Sequence, residues 1–142
     1  MGGTFDHLHE GHKFLLKTAL GLSEKVEIGL TTQNLLENKK YASKLEDYQT
    51  REKNLKKFII SFADLKRVNI AEIKDWDDMS KYAQDPEYDA LIVSQETYEN
   101  AIKLNENREE KGLNPLILIV IPIIKDKKNN KISSTSIREK LE

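Results

Sequence analysis

Apolar residues along this chain recur at helical spacing in three places. A first helix is predicted to begin near Gly11, a second runs from Leu45 to Phe62, and a third runs from Thr97 to Lys111. Gly112 follows the third helix as a C-terminal cap signal. The apolar stripe of the first helix is predicted to be Phe14, Leu15, Thr18, Ala19 and Leu22, and that of the second Leu45, Tyr48, Leu55, Phe58, Ile59 and Phe62.

Four other segments have the alternation or the β-branched composition of strands. The last of these is a continuous apolar run, which predicts a strand buried on both faces. Strands that alternate with helices indicate an α/β fold, here a Rossmann-like parallel sheet with helices on both faces. The predicted strands are Lys25–Thr31, Lys66–Ile73, Ala90–Ser94 and Leu116–Ile124, and Ser133–Glu142 is predicted to close the chain as a helix.

Composition narrows the classes of protein that the chain can belong to. A length of 142 residues favours a single domain spanning 1–142. The 23 basic and 24 acidic residues leave a net charge of −1, which gives no reason to expect nucleic acid or an acidic membrane as partner. The chain has no cysteine, which excludes disulfide and thiolate chemistry and fits a cytoplasmic protein. The longest apolar run, Pro115 to Ile124, is too short to cross a bilayer.

The three histidines of the chain all fall between a glycine-rich turn and the first helix. They are His7, His9 and His12, and His9 and His12 are spaced to project from one side of the helix start. A helix N-terminus offers unpaired N–H groups that favour phosphate, and glycine allows close approach of a ligand. We therefore predict chemistry on a phosphate. Zinc held by the three histidines is disfavoured, because the chain lacks cysteine and a His-Glu-x-x-His pair.

A hydroxyl-rich segment near the C-terminus has the character of a second phosphate site. Ser133, Ser134, Thr135 and Ser136 precede a predicted helix, and Arg138 lies where it can lean back over the same turn. The same residues also fit an ordinary helix cap, because Ser136-x-x-Glu139 is a capping box. Both interpretations can hold together.

These motifs resemble those of a known enzyme family. Gly3-Thr4-Phe5-Asp6 followed by His9-Glu10-Gly11-His12, together with Ile132 to Arg138, resembles the nucleotidyltransferases that carry a His-x-Gly-His signature. Asn105-Glu106-Asn107-Arg108 and Gly112-Leu113-Asn114-Pro115-Leu116 are similar to segments of the archaeal phosphopantetheine adenylyltransferases. The resemblance covers nearly the whole chain and implies a fold of the nucleotidyltransferase type.

The resemblance implies a reaction in which ATP and 4′-phosphopantetheine give dephospho-coenzyme A and pyrophosphate, with Mg²⁺ arriving on ATP. Alternatives within the enzyme class are a glycerol-3-phosphate cytidylyltransferase and an FMN adenylyltransferase. The cytidylyltransferases carry Arg-Thr-x-Gly where this chain has Lys128-Asn129-Asn130-Lys131, which argues against a CTP enzyme. A non-catalytic nucleotide-binding domain is the remote alternative, and the intact His9 and His12 argue against it.

The resemblance also implies which residues act. His12 and His9 would stabilise charge at the α-phosphate, and a catalytic lysine would be Lys39 or Lys40, with Lys44 a third candidate. A lysine pair in a polar stretch is more often plain surface. The nucleotide is expected to contact Gly3, Thr4, Phe5, His9, Gly11, His12, Ser94, Ser133, Ser134, Thr135, Ser136 and Arg138. The acceptor is expected to contact Thr4, Asp6, Lys40 and Arg51, although Asp6 fits better as a structural residue that accepts backbone N–H bonds.

One expected element has no room in this sequence. In the family a central strand runs directly into Gly-Thr-Phe-Asp, whereas here only Met1 and Gly2 precede Gly3. The predicted strands would then flank a vacant centre with unpaired ladder groups. We expect the first strand to be missing or truncated and the natural chain to start several residues earlier.

Overall fold

A computed structural model describes residues 1–33, 45–75, 78, 81, 84–95 and 97–122. Several predicted functional residues lie outside these ranges, as does the predicted C-terminal helix. They are Lys39, Lys40, Lys44, Ser133, Ser134, Thr135, Ser136 and Arg138.

The described residues form five strands and three longer helices in alternating α/β order. The fold class predicted from the sequence is confirmed, because every strand pairing is parallel and helices flank the strands. A short 3-10 turn, Leu65–Arg67, leads into the third strand. In chain order the elements are β1 (Gly2–Gly3), α1 (Glu10–Leu22), β2 (Val26–Thr31), α2 (Tyr48–Ile60), β3 (Val68–Ile73), β4 (Ala90–Ser94), α3 (Tyr98–Glu110) and β5 (Ile117–Ile121).

The described strands divide into two parallel sheets, one in the order β1-β2-β3 and one made of β4 and β5. In the first sheet Gly3 is opposite Leu30, and β2 pairs with β3 over its full length. The two-residue strand β1 lies beside β2 at Gly29 and Leu30, and the truncation of the first strand stays a prediction. The backbone at Met1 also joins this ladder, since Gly29 N donates to Met1 O at 2.9 Å. The register puts Thr4 beside Thr31 at the carboxyl edge of the sheet.

The apolar stripe predicted for α1 is confirmed at Ala19 and wrong at Phe14 and Leu22. Leu16, Ala19 and Leu20 are the buried residues of this helix, whereas the predicted members Phe14 and Leu22 are 42% and 61% exposed. Residues 14, 15 and 16 are all apolar, so two helical stripes were compatible with the sequence. Packing against the sheet selected the one that contains Leu16.

The second helix starts later than predicted and buries an arginine on its apolar face. Asp47 caps its N-terminus by accepting from Thr50 N at 2.7 Å, which places Leu45 outside the helix. Its buried residues are Arg51, Leu55 and Ile59, at intervals of four. Phe62 lies beyond the helix end and is 37% exposed.

Helix α3 ends before Gly112, as predicted, and two of its side chains hydrogen-bond to the segment that leads into β5. Gly112 has a positive φ of 77°, the left-handed cap conformation that glycine favours. Asn105 exchanges two hydrogen bonds with the backbone of Leu116, at 2.8 and 3.0 Å. Arg108 is buried and donates to Asn114 O and Asp85 O, both at 2.9 Å. The Asn-x-x-Arg segment therefore sets the start of β5.

The prediction that the last strand is buried on both faces is wrong for its described part. Ile117 is 66% exposed and Val120 is 40% exposed. A run of β-branched residues indicates strand propensity, whereas the covering of each face depends on tertiary packing. Among the described helices, none is long and apolar enough to cross a membrane.

A hydrophobic core joins the two sheets with α1 and α2. It includes Phe5 from the turn after β1, together with residues of both sheets and of α1 and α2. The core therefore anchors, through Phe5, the turn between β1 and α1. The core residues are Phe5, Leu16, Ala19, Leu20, Val26, Ile28, Leu30, Leu55, Ile59, Ile92 and Ile121.

Candidate active site

His9 and His12 form a stacked pair at the N-terminus of α1. Their ring centroids are 3.8 Å apart and the ring planes differ by 19°. His9 is the N-cap residue, and its Nδ1 accepts from Gly11 N at 3.1 Å, while His12 Nδ1 accepts from His9 N at 3.3 Å. The two imidazoles therefore take the place of the hydroxyl and carboxylate groups that usually cap a helix.

These hydrogen bonds define the tautomer of both rings. A ring nitrogen that accepts an N–H carries no proton, so each neutral imidazole has its proton on Nε2. Burial lowers the pKa of His9, and the neighbouring Glu10 carboxylate opposes that shift. The pair therefore presents Nε2–H donors, and N–H donors beside a helix N-terminus suit a phosphate oxygen.

Gly11 is required by the position of the His9 ring. A Cβ at Gly11 would lie 2.9 Å from His9 Cε1 and 3.1 Å from its Nδ1. The glycine of His-x-Gly-His thus lets the imidazole lie against the backbone of the first turn. A side chain at position 11 would displace the ring from its capping position.

The turn between β1 and α1 has two residues in the left-handed region. Phe5 and His7 have φ angles of 50° and 47°, which is uncommon for residues with a side chain. Phe5 is buried, its ring lies 5.3 Å from that of His12, and a Cβ at Gly3 would meet it at 3.2 Å. Such strain persists only where surrounding contacts hold it, and these contacts supply that restraint.

Asp6 and Glu46 hold this turn against the start of α2. The fully buried Asp6 carboxylate accepts from Glu46 N at 2.8 Å, and Glu46 Oε1 accepts from His7 N at 2.7 Å. Glu46 Oε2 also accepts from Asn54 Nδ2 at 3.3 Å. Asp6 therefore has a structural contact, and its predicted contact with the acceptor remains a prediction.

Thr4 lies at the carboxyl edge of the first sheet and is joined to Thr31. Thr31 Oγ1 donates to Thr4 Oγ1 at 3.2 Å, which orients the Thr4 hydroxyl. In open parallel sheets, ligands bind beyond the carboxyl ends of the strands. Thr4 begins the turn that leads from β1 to the His9–His12 pair of α1, while Ser94 ends the second sheet. There Ser94 N donates to Thr97 Oγ1 at 3.2 Å.

Arg51 is next to the site but directed into the protein. Its side chain is fully buried and donates to backbone oxygens of Thr4, Thr31 and Glu46 and to the Gln33 side chain. Burial lowers the pKa of Arg51, and the charge of Asp6 is the largest opposing influence. The predicted contact of Arg51 with the acceptor stays a prediction.

Three residues of the site were not predicted from the sequence: Thr31, Gln33 and Glu46. Thr31 and Gln33 are polar and end or follow a strand, which is a weak signal for the ligand edge of a parallel sheet. No pattern in the sequence around Glu46 indicated that it belongs to the site. Its partners, Asp6 and His7, lie 40 and 39 positions away in the chain.

Asp6, His7 and Glu46 also bring potential metal-ligating atoms within 4.8 Å of one another. A histidine with two carboxylates suits transition metals better than Mg²⁺, which prefers oxygen ligands. The oxygens Asp6 Oδ1, Glu46 Oε1 and Glu46 Oε2 already accept the hydrogen bonds that hold the turn. The group therefore does not fit a magnesium site.

Comparison with known proteins decides the family. The cytidylyltransferase-like family matches residues 1–140. This chain belongs to that family. It is 44% identical over 138 residues to the phosphopantetheine adenylyltransferase of Pyrococcus abyssi, a match that covers 97% of this chain and 86% of that protein. The phosphopantetheine adenylyltransferase of Saccharomyces cerevisiae is 36% identical over 146 residues, covering 99% of this chain and 47% of that protein.

Two solved structures have a fold similar to that of this chain. A protein of unknown function from Archaeoglobus fulgidus matches with a TM-score of 0.72 and 29% identity, over 86% of this chain and 95% of that chain. A bifunctional NMN adenylyltransferase/ADP ribose pyrophosphatase from Francisella tularensis matches with a TM-score of 0.69 and 17% identity. That match covers 99% of this chain and 40% of the other, and at this identity it supports the fold alone.

Proposed function

We propose that this protein transfers the adenylyl group of ATP to 4′-phosphopantetheine, giving dephospho-coenzyme A and pyrophosphate. One observation carries the proposal. The stacked His9–His12 pair begins α1 at the carboxyl edge of a parallel sheet, in a chain 44% identical to a phosphopantetheine adenylyltransferase. The substrates are inferred from the names of the relatives, and the stabilisation of charge is inferred from the His9–His12 pair.

The reaction needs no covalent enzyme intermediate. A phosphate oxygen of the acceptor forms a bond to the α-phosphorus of ATP, and the bond from that phosphorus to the bridging oxygen breaks. The electron pair of the broken bond leaves with pyrophosphate. Both reactants are anions, so the enzyme contributes positioning and stabilisation of the charge that develops.

His12 and His9 have the principal roles in this proposal. Their Nε2–H groups donate to oxygens of the α-phosphate, and His12 contributes most as negative charge builds. The Thr4 hydroxyl, oriented by Thr31, lies between the two substrates. Lys39 or Lys40 supplies positive charge near the acceptor, and the hydroxyl-rich segment with Arg138 binds the outer phosphates. Gly3, Phe5 and Gly11 shape the turn, and Ser94 borders the nucleotide.

Magnesium enters this proposal as the counter-ion of ATP, where it neutralises phosphate charge when bound. The carboxylates of Asp6 and Glu46 accept the hydrogen bonds that hold the turn, so we do not assign them as magnesium ligands. We also propose one domain across residues 1–142 and a cytoplasmic location, which the absence of cysteine fits.

Pyrophosphate release tests the proposal directly. We expect release with ATP and 4′-phosphopantetheine, and little or none when CTP replaces ATP or when glycerol 3-phosphate or FMN replaces the acceptor. A preference for CTP with glycerol 3-phosphate, or for ATP with FMN, would overturn the acceptor assignment while keeping the reaction class. Binding of ATP without release with any acceptor would support the non-catalytic alternative.

A further inference from the structure

The guanidinium of Arg51 is occupied by the oxygens of the protein itself. Arg51 Nε donates to Glu46 O at 3.0 Å, and one terminal nitrogen donates to Thr4 O at 3.0 Å and to Thr31 O at 2.7 Å. The other terminal nitrogen donates to Gln33 Oε1 at 2.6 Å. A guanidinium has five N–H groups, so these four bonds use all but one of them. The side chain is fully buried.

The acceptors of Arg51 belong to three separate segments that border the site. Thr4 is in the turn after β1, Thr31 and Gln33 are at the end of β2, and Glu46 precedes α2. Thr4 and Thr31 are joined twice, because their carbonyls share one guanidinium nitrogen and their hydroxyls are hydrogen-bonded to each other. Arg51 thus joins three segments that are distant in sequence.

We propose that Arg51 is a positioning residue, which places Thr4 and the turn bearing His9 and His12, and that it does not bind a substrate. This inference rests on the proposed function and replaces the acceptor-binding role predicted from the sequence. A buried cation is tolerated only when it is paired and hydrogen-bonded, and the buried Asp6 supplies the compensating charge. The planar fork of arginine can meet acceptors in several directions at once.

A residue that positions the turn can affect the rate of the reaction. A displacement of reacting groups by about 1 Å can cost on the order of 10²-fold in rate, so a residue that fixes their position affects kcat without touching substrate. Lysine would keep the charge at position 51 but lacks the planar fork, and its three N–H groups on one nitrogen cannot satisfy the four acceptors of Arg51. Arg51→Lys should therefore loosen the turn while leaving the charge of the core intact.

Steady-state kinetics distinguish a positioning role of Arg51 from direct binding of the acceptor. We expect Arg51→Lys to lower kcat by about tenfold or more with both substrates saturating. Thr31→Val, which removes the hydroxyl that orients Thr4, should lower kcat several-fold, and the matched Thr31→Ser should stay within about twofold. In the double variant the losses should be less than multiplicative, because both changes disturb the same turn. A raised KM for 4′-phosphopantetheine with unchanged kcat, or independent effects of the two changes, would overturn the proposal.

Hydrogen exchange gives a readout that does not depend on the proposed substrates. The amides of His7 and Glu46 donate to the carboxylates that hold the turn, so their exchange should accelerate in Arg51→Lys. The amide of Ala63, which donates to Ile59 O beyond the far end of α2, is the internal control and should be unchanged. Unchanged exchange at His7 and Glu46 would refute the positioning role. Faster exchange in a protein inactive on 4′-phosphopantetheine would refute only the proposed function.

Discussion

Asp6 and Glu46 are 40 positions apart and each carboxylate accepts a backbone N–H from the segment of the other. Glu46 N donates to Asp6 Oδ1 at 2.8 Å, and His7 N donates to Glu46 Oε1 at 2.7 Å. Charge-assisted bonds of this kind are stronger than those between neutral groups. The reciprocal pair holds Phe5 and His7 in their left-handed conformations immediately before the helix that begins with His9 and His12.

Removal of the Glu46 carboxylate should weaken this restraint. We expect Glu46→Ala to lower the free energy of unfolding by about 1–3 kcal/mol, because the partly buried amide of His7 loses its acceptor. Glu46→Gln keeps an oxygen acceptor and should lose less. Urea denaturation of the three proteins, followed by circular dichroism, measures the difference. Equal stability of Glu46→Ala and wild type would mean that the His7 amide finds another partner at no cost.

His12 should matter for the chemical step more than for ATP binding. His12→Ala should lower kcat on the order of 10²-fold or more, as the loss of one charge-stabilising donor does in other enzymes. The KM for ATP should change much less. Lys17→Ala, an exposed change on the same helix, is the control for helix integrity and should leave kcat near wild type. Survival of kcat within a few-fold in His12→Ala would contradict the role given to His12.

Two glycines of α1 provide a matched pair of substitutions. A Cβ at Gly11 would meet the His9 ring at 2.9 Å, whereas a Cβ at Gly21 meets nothing within 4 Å. Both changes to alanine favour the helix, by at most about 1 kcal/mol. We expect Gly21→Ala to be slightly more stable with unchanged kcat, and Gly11→Ala to lose activity by tenfold or more. Equal activities of the two variants would show that the His9 ring tolerates displacement.

The lowered pKa of His9 predicts a dependence of stability on pH. The unfolded chain takes up a proton near the ordinary histidine pKa of about 6.5, whereas the folded protein takes it up at lower pH. The contribution of His9 is therefore fully present above about pH 6.5 and is lost as pH falls from there through the folded pKa. Urea denaturation between pH 5 and 8 measures this loss.

His9→Asn is the control for this titration, since asparagine caps a helix without titrating. The wild type should lose stability relative to His9→Asn as the pH falls below about 6.5. A constant difference between the two proteins across the range would mean that His9 has the same pKa folded and unfolded.

Much of the fold follows from local sequence. The helix before Gly112 and the strands Ala90–Ser94 and Val26–Thr31 were predicted within about a residue, because caps and alternation are properties of neighbouring residues. The family was indicated by resemblance, through Gly3-Thr4-Phe5-Asp6 with the His-x-Gly-His motif and the segment Ile132 to Arg138. The contacts of Lys39, Lys40 and Arg138 with substrate remain predictions.

Tertiary structure decided what adjacent residues cannot specify. The resemblance predicted that Arg51 contacts the acceptor, which stays a prediction, whereas only the fold shows that it is buried among oxygens from three segments. Sequence offered two apolar stripes for α1, and packing chose the one with Leu16. Spacing along the chain determines which residues share a face of a helix or strand. The packing of the elements determines which of these faces is buried. It also determines which distant carbonyl accepts from a buried charged group, because that group loses water and gains its partners only when the segments come together.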